Sequence, residues 1–169
     1  MRIQDFLITG LLAVAAVHAG DSKAEVRRDG PAAYARLKAL AGEWEAKMEQ
    51  GKAHLSLELI AGGTAIVERE TAGQMPAMET VYHLDGSRLL LTHYCMAGNQ
   101  PRMEAASFNP DNGELQFRFL DATNLKPGAG HMHDVLIRFV DNDHFETEWQ
   151  FFENGKPKFT EKALYTRVK

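Results

Sequence analysis

Gly42-Glu43-Trp44-Glu45-Ala46-Lys47-Met48 is the stretch on which the fold of this chain turns. Just upstream, Tyr34, Leu37, Leu40 and Ala41 recur at helical spacing behind Pro31, a residue suited to a first helical turn. From Glu43 onward the period drops to two, with Trp44, Ala46 and Met48 alternating with charged residues. Gly42 is therefore expected to stop the helix in a left-handed turn. Trp44 is expected to bring a large apolar ring, with one N–H to satisfy, to the start of the first strand.

Downstream the period of two persists. Leu55, Leu57 and Leu59 alternate up to Gly62-Gly63, and Ala65 and Val67 follow, up to Thr71-Ala72-Gly73. Runs from Met78 to Leu84 and from Arg88 to Cys95 flank Asp85-Gly86, a tight-hairpin dipeptide. Pro101 to Phe108 and Leu115 to Leu120 flank Asn109-Pro110-Asp111-Asn112-Gly113, a turn by composition. The longest loop spans 121–130. His131 to Val140 and His144 to Phe152 then flank Asp141-Asn142-Asp143, and a last hairpin at Asn154-Gly155 runs out through Phe159 to Val168. About ten consecutive strands with short turns and no second helix leave no parallel crossover. The expected fold is all-β, a single antiparallel up-and-down β-barrel with a short N-terminal helix over one end, closing on itself to remove its edges.

The barrel domain is expected over 31–169. Residues 1–19 read as a secretory signal peptide: Arg2, an apolar run from Phe6 to Val17, and small residues at Val17-His18-Ala19. Asp5 weakens its positive start and leaves an uncleaved anchor as the alternative. Residues 20–30 read as a flexible N-terminal segment. Such a chain is periplasmic or secreted, without stable membrane insertion after cleavage. Its one Cys, Cys95, excludes an internal disulfide, so the core alone must supply stability. The net charge of -4, with Lys and Arg scattered, argues against nucleic acid as a partner.

Parity sorts the side chains. Leu115, Phe117 and Phe119 are the apolar face of their strand, and pairing Leu115 with Ser107 sets Phe117 beside Ala105 and Phe119 beside Met103. The same face carries Leu91, His93 and Cys95; then His131, His133, Val135 and Ile137; then Phe145, Trp149 and Phe151; then Phe159, Glu161, Tyr165 and Arg167. Alternate strands reverse direction, so the tight turns gather at the Trp44 end and the longer loops at the other. Barrel ligands sit at such mouths. Direction and parity together send His93, Cys95, Met103, Phe119, His131 and His133 to that rim, with Trp149 below, and this is the candidate ligand-binding set.

The helix, Gly42-x-Trp44, the meander and terminal Arg167 resemble the calycin superfamily, which includes lipocalins, fatty-acid-binding proteins and nitrobindin-like barrels. The resemblance implies that Trp44 packs against Arg167 at the closed end, a structural closure. Thr92-His93-Tyr94-Cys95, Gly98-Asn99-Gln100-Pro101-Arg102-Met103 and Gly130-His131-Met132-His133 resemble stretches of exported bacterial lipocalin-like proteins of the DUF1579 type. That group implies a fold more than an activity.

Several functions fit these residues. The first is a binding protein for a small, mostly apolar ligand at the mouth. The second is a haem or transition-metal site with His93, His131 and His133 as candidate ligands, since His, Cys and Met suit soft or borderline metals. Resemblance to nitrobindin-like barrels implies a haem-ligating His at the mouth, but no recognised zinc spacing is present. The third is an enzyme using a His and Glu161 as acid and base. His93 and Cys95, two apart on one strand face, are too distant for a direct nucleophile–base hydrogen bond, and no phosphate loop or nucleophile elbow occurs, so no catalytic residue is assigned. The plainest alternative is that the His residues are rim groups paired with loop carbonyls. Outward Leu90 and Phe152 offer a contact for a homodimer.

Overall fold

The computed structural model describes residues 29–49 and 51–169, so the expected signal peptide and most of the 20–30 segment lie outside the described residues. Asp29 starts the first element. Its carboxylate accepts the Ala32 backbone N–H at 3.0 Å and caps α1 (Gly30–Lys38), with Pro31 in the first turn. Ala33, Tyr34 and Leu37 are buried beneath it, and the Tyr34 hydroxyl donates to the Gly63 carbonyl at 3.2 Å.

Ten strands follow: β1 (Gly42–Met48), β2 (Gly51–Ile60), β3 (Ala65–Ala72), β4 (Met78–Asp85), β5 (Arg88–Tyr94), β6 (Gln100–Asn109), β7 (Glu114–Thr123), β8 (His131–Phe139), β9 (His144–Glu153) and β10 (Lys156–Arg167). Every strand pairs antiparallel with its sequence neighbour, and β10 returns to β1, so the sheet is one closed antiparallel barrel.

The closure differs from expectation in one detail. The helix ends at Lys38, three residues before the β1 start, and Gly42 has φ +130°, outside the usual left-handed helical region. Gly42 therefore does not cap the helix. It begins the strand beneath Arg167, whose guanidinium would lie 3.0 Å from any Cβ placed there. The last helix carbonyls, of Ala35 to Lys38, accept from the backbone N–H groups of Ala39, Leu40 and Ala41, and the carbonyls of those three residues are bonded in turn by side chains. Arg167 Nη1 donates to Ala41 O at 2.9 Å and Nη2 to Ala39 O at 3.1 Å, while Trp44 Nε1 donates to Leu40 O at 2.8 Å. The Arg167 guanidinium lies 4.1 Å above the Trp44 ring. Two residues thus pin the linker between α1 and β1, and α1 plugs that end of the barrel.

Inside, the closed half is filled by aromatic and aliphatic side chains. Trp44 meets Phe145 edge-on at 4.8 Å, Phe145 stacks on Tyr165 at 5.0 Å, and Tyr82 leans on Phe117 at 6.0 Å. Leu55, Ile66, Leu89, Leu91 and Leu115 fill between them. Each large side chain so buried contributes about 1.5–3 kcal/mol, enough in sum to hold a domain whose cysteine is free.

Bulges correct two parts of the parity reading. An extra residue in β6 between Ala105 and Ser107 sets Leu115 opposite Phe108, not Ser107; Phe117 opposite Ala105 and Phe119 opposite Met103 are as expected. A second bulge lies in β8 between Met132 and Asp134. It puts Met132 opposite Phe151 on the inner face and His131 opposite Phe152. The two histidines therefore do not continue the inward face of Val135 and Ile137.

The barrel is closed unevenly. β1 pairs with β10 at only two positions, Trp44–Arg167 and Glu45–Thr166. Toward the opposite end the two strands part.

Candidate functional site

β3 sends Ile66, Glu68, Glu70 and Ala72 inward, because Glu68 lies directly opposite buried Leu57 of β2 and Ile66 opposite Leu59 in the same ladder. Two carboxylates thus enter the lumen. β4 adds Thr80 and Tyr82, β5 adds His93, and β10 adds Glu161 and Tyr165. Glu70, Thr80, His93 and Glu161 lie in the half away from Trp44, and Tyr82 and Tyr165 reach toward the carboxylates from the closed half.

Their hydrogen bonds form separate links, two between neighbouring strands and one from β10 to β3. The Tyr82 hydroxyl donates to Glu68 Oε2 at 2.9 Å. The Tyr165 hydroxyl donates to Glu70 Oε1 at 2.6 Å. Thr80 Oγ1 and His93 Nδ1 are 3.0 Å apart. His93 is only 4% exposed, its ring lies 4.9 Å from that of Trp149, and its Nε2 is buried with no hydrogen-bond partner among the described residues. Buried polar atoms are nearly always paired, so this nitrogen marks an unfilled valence in the lumen. Since β9 lies four strands from β5 in the ten-strand ring, the contact with Trp149 reaches across the barrel.

Electrostatics follow from burial without counter-charge. Burial, then the neighbouring Glu70 carboxylate, pushes Glu68 up to about 7, against hydrogen bonds from Tyr82 and Thr80. Burial also raises Glu70, with the Tyr165 hydroxyl opposing it. Glu161 is raised by burial and then by Glu70. His93 is pulled down to about 4 by burial and is neutral at physiological pH. The Cys95 thiol is raised mainly by burial, so it is a poor thiolate nucleophile.

The expected site residues fall into two groups. His93 and Trp149 meet in the lumen. Met103 is fully buried opposite Leu91, and Cys95 is buried just past β5, its Sγ 3.5 Å from the Ala97 amide. Phe119, His131 and His133 are elsewhere. His133 is sandwiched between Phe119 at 4.7 Å and Phe152 at 4.0 Å, both near parallel. His131 Nε2 lies 3.1 Å from His133 Nδ1, and His131 Nδ1 lies 3.2 Å from the Ala129 carbonyl. These two histidines pair with each other and with a loop carbonyl, and Phe152 is taken up in their stack. Among the described residues, no three His, Cys, Asp or Glu side chains converge to hold a metal ion.

Sequence reasoning missed Glu68 and Glu70. The signal was available: carrying the Leu55-Leu57 face around the Gly62-Gly63 hairpin places both carboxylates inside. Asn99 is buried and donates through Nδ2 to the Gly130 carbonyl at 2.8 Å, tying two mouth loops together.

The parting of β1 from β10 leaves openings beside this lumen. One groove of about 860 Å³ runs between Ala46, Met48 and Lys52 on one side and Leu164 and Thr166 on the other. A second, of about 580 Å³, lies between Met48 and Glu49 and the stretch Phe159–Lys162. Glu161 is part of its wall.

Among solved structures, the chain is similar to that of Rv2717c from M. tuberculosis, with a TM-score of 0.56 and 15% identity over 81% of this chain and 98% of that one. At that identity the likeness shows the fold alone. No family model matches the chain, and no curated protein matches it.

Proposed function

We propose that this chain is an exported, lipocalin-like protein that binds a small ligand in the open half of the barrel, between His93, Trp149 and the inward carboxylates. The observation that carries the reading is the buried Nε2 of His93, unpartnered among the described residues, on a ring 4.9 Å from that of Trp149. Leaving such an atom unpaired costs about 1–3 kcal/mol, a penalty that a bound hydrogen-bond partner removes. The division of the interior supports it as well. The Trp44 half is packed with apolar rings, whereas the other half holds polar groups beside a parted seam. In this reading the ligand reaches the lumen past Met48, Phe159 and Glu161.

The test is extraction of the purified protein followed by mass spectrometry, with metal analysis and a visible spectrum of the same sample. A stoichiometric small molecule in colourless, metal-free protein supports the reading. Stoichiometric haem or copper would replace it with the metal or haem alternative. Sequencing of the mature N-terminus tests export, with cleavage near Ala19 expected and an intact Met1 contradicting it.

A further inference from the structure

We infer that the ligand of this lumen is an organic cation, a primary or secondary ammonium group carried on an apolar body. The inference rests on the binding reading above and names its ligand class.

Charge balance is the first argument. Glu68, Glu70 and Glu161 reach the lumen from β3 and β10, and among the described residues no Lys, Arg or His forms an ion pair with any of them. Their interactions with one another are repulsive, Glu70 acting on both Glu68 and Glu161. Buried carboxylates without a counter-ion raise the potential energy of every anion brought near and lower that of every cation. Tyr82 and Tyr165 supply hydroxyl protons to Glu68 and Glu70 but no charge. Glu161 has no hydrogen bond or ion pair among the described residues.

Hydrogen-bond bookkeeping at His93 is the second, independent argument. Thr80 Oγ1 and His93 Nδ1 lie 3.0 Å apart, a contact that either neutral tautomer of the imidazole can make. An ammonium ligand selects the tautomer with the proton on Nδ1, in which Thr80 Oγ1 accepts from the ring. Nε2 is then a bare lone pair, buried and unpartnered. Beside it stand the acceptor oxygens of Glu68, Glu70 and Glu161. A carboxylate ligand would meet acceptors with acceptors. An alcohol brings one donor and no charge. An ammonium group brings two or three N–H donors and the missing positive charge. A quaternary ammonium has no N–H for Nε2 and is not the match.

The surroundings select an organic cation over a metal ion. The described residues contain no three-ligand cluster, whereas the Trp149 ring beside His93 offers a π face to a cation. The rim above is apolar. Phe151 stacks on Phe159 at 4.8 Å, Phe159 is 47% exposed, and Met48 faces them across the seam. An ammonium head among the carboxylates therefore leaves its apolar body against Phe151, Phe159 and Met48.

The experiment is isothermal titration calorimetry of the full chain at neutral pH with three probes of one chain length: hexylamine, hexanol and hexanoate. Hexylamine is expected to bind at least tenfold more tightly than hexanol, with no hexanoate binding. In a Glu70→Gln/Glu161→Gln variant, hexylamine should weaken at least tenfold and hexanol should change less than twofold. Glu161→Gln alone, at a half-buried rim position, gives a smaller loss in the same direction should the double variant not fold. Hexanol or hexanoate binding as tightly as hexylamine, or hexylamine binding unmoved by both variants, overturns the cation assignment and leaves the binding reading standing. Absence of binding by all three probes overturns the binding reading itself, and the cation assignment with it.

Discussion

The two halves of this barrel are built from the same strands but on opposite terms. At the Trp44 end the polar atoms are used up: the indole N–H and three guanidinium N–H groups all find carbonyls, of Ala39, Leu40, Ala41 and Asn142. Around them Trp44, Phe145 and Tyr165 pack ring on ring. In the other half, among the described residues, three carboxylates lack counter-ions and a buried histidine nitrogen lacks a partner. The β ladder also gives out there, between β1 and β10. The difference teaches where stability is made and where it is given up. The end marked by the sequence motif holds the barrel shut, and the end without one carries the unfilled chemistry.

Substitutions at each end should therefore behave differently. The largest effect is expected at the closed end. Trp44→Ala removes a fully buried ring, its hydrogen bond to Leu40 and the platform of Arg167, and should cost about 3–5 kcal/mol in urea unfolding. A loss below about 1 kcal/mol would mean that the closure does not hold the fold.

Next in size is a pH effect in the open half. Glu68 has its folded pKa raised to about 7 from 4.5, so its stabilising contribution is complete below pH 4.5 and is lost as pH rises through 7. His93 has its folded pKa lowered to about 4 from 6.5, so its contribution is complete above pH 6.5 and is lost as pH falls through 4. Between pH 4.5 and 6.5 the two slopes oppose each other. Glu68→Gln removes one of them. The difference between wild-type and variant unfolding free energies should then change by roughly 3 kcal/mol between pH 4.5 and 7.5, the wild type gaining on the variant toward acid. Parallel curves would place Glu68 in water rather than in the core.

Arg167→Met should follow, with a loss of about 1–3 kcal/mol by chemical denaturation, because the Ala39 and Ala41 carbonyls between α1 and β1 lose their donors. The smallest effect is at Glu161. Replacing this half-buried, repelled carboxylate with Gln should raise stability at neutral pH by no more than about 1 kcal/mol. Loss of stability there would show that Glu161 has a favourable partner in the fold.

Much of the architecture was legible because alternation of apolar and polar residues is a local signal. Trp44 and Arg167 could be matched through the barrel's closure, and they stand opposite each other in the β1–β10 ladder. His93 and Trp149 could be brought to one lumen by parity and strand direction. What failed did so where one residue is added without any local mark. His133 reads as a regular strand position, yet as the extra residue of a bulge it changes the facing of His131 as well. Glu68 and Glu70 were passed over for a different reason. A carboxylate in a strand is by default a solvent-facing residue, and only the register against Leu57 overrides that default.

The central claim is that a ligand occupies the lumen beside Trp149. The chain has two tryptophans, and Trp44 is sealed under Arg167 at the far end. Titrating hexylamine while following tryptophan fluorescence therefore reports on Trp149. The account predicts a saturable change in the wild-type protein that disappears in Trp149→Phe. A change that survives in Trp149→Phe, or no change in the wild type at saturating amine, would contradict it.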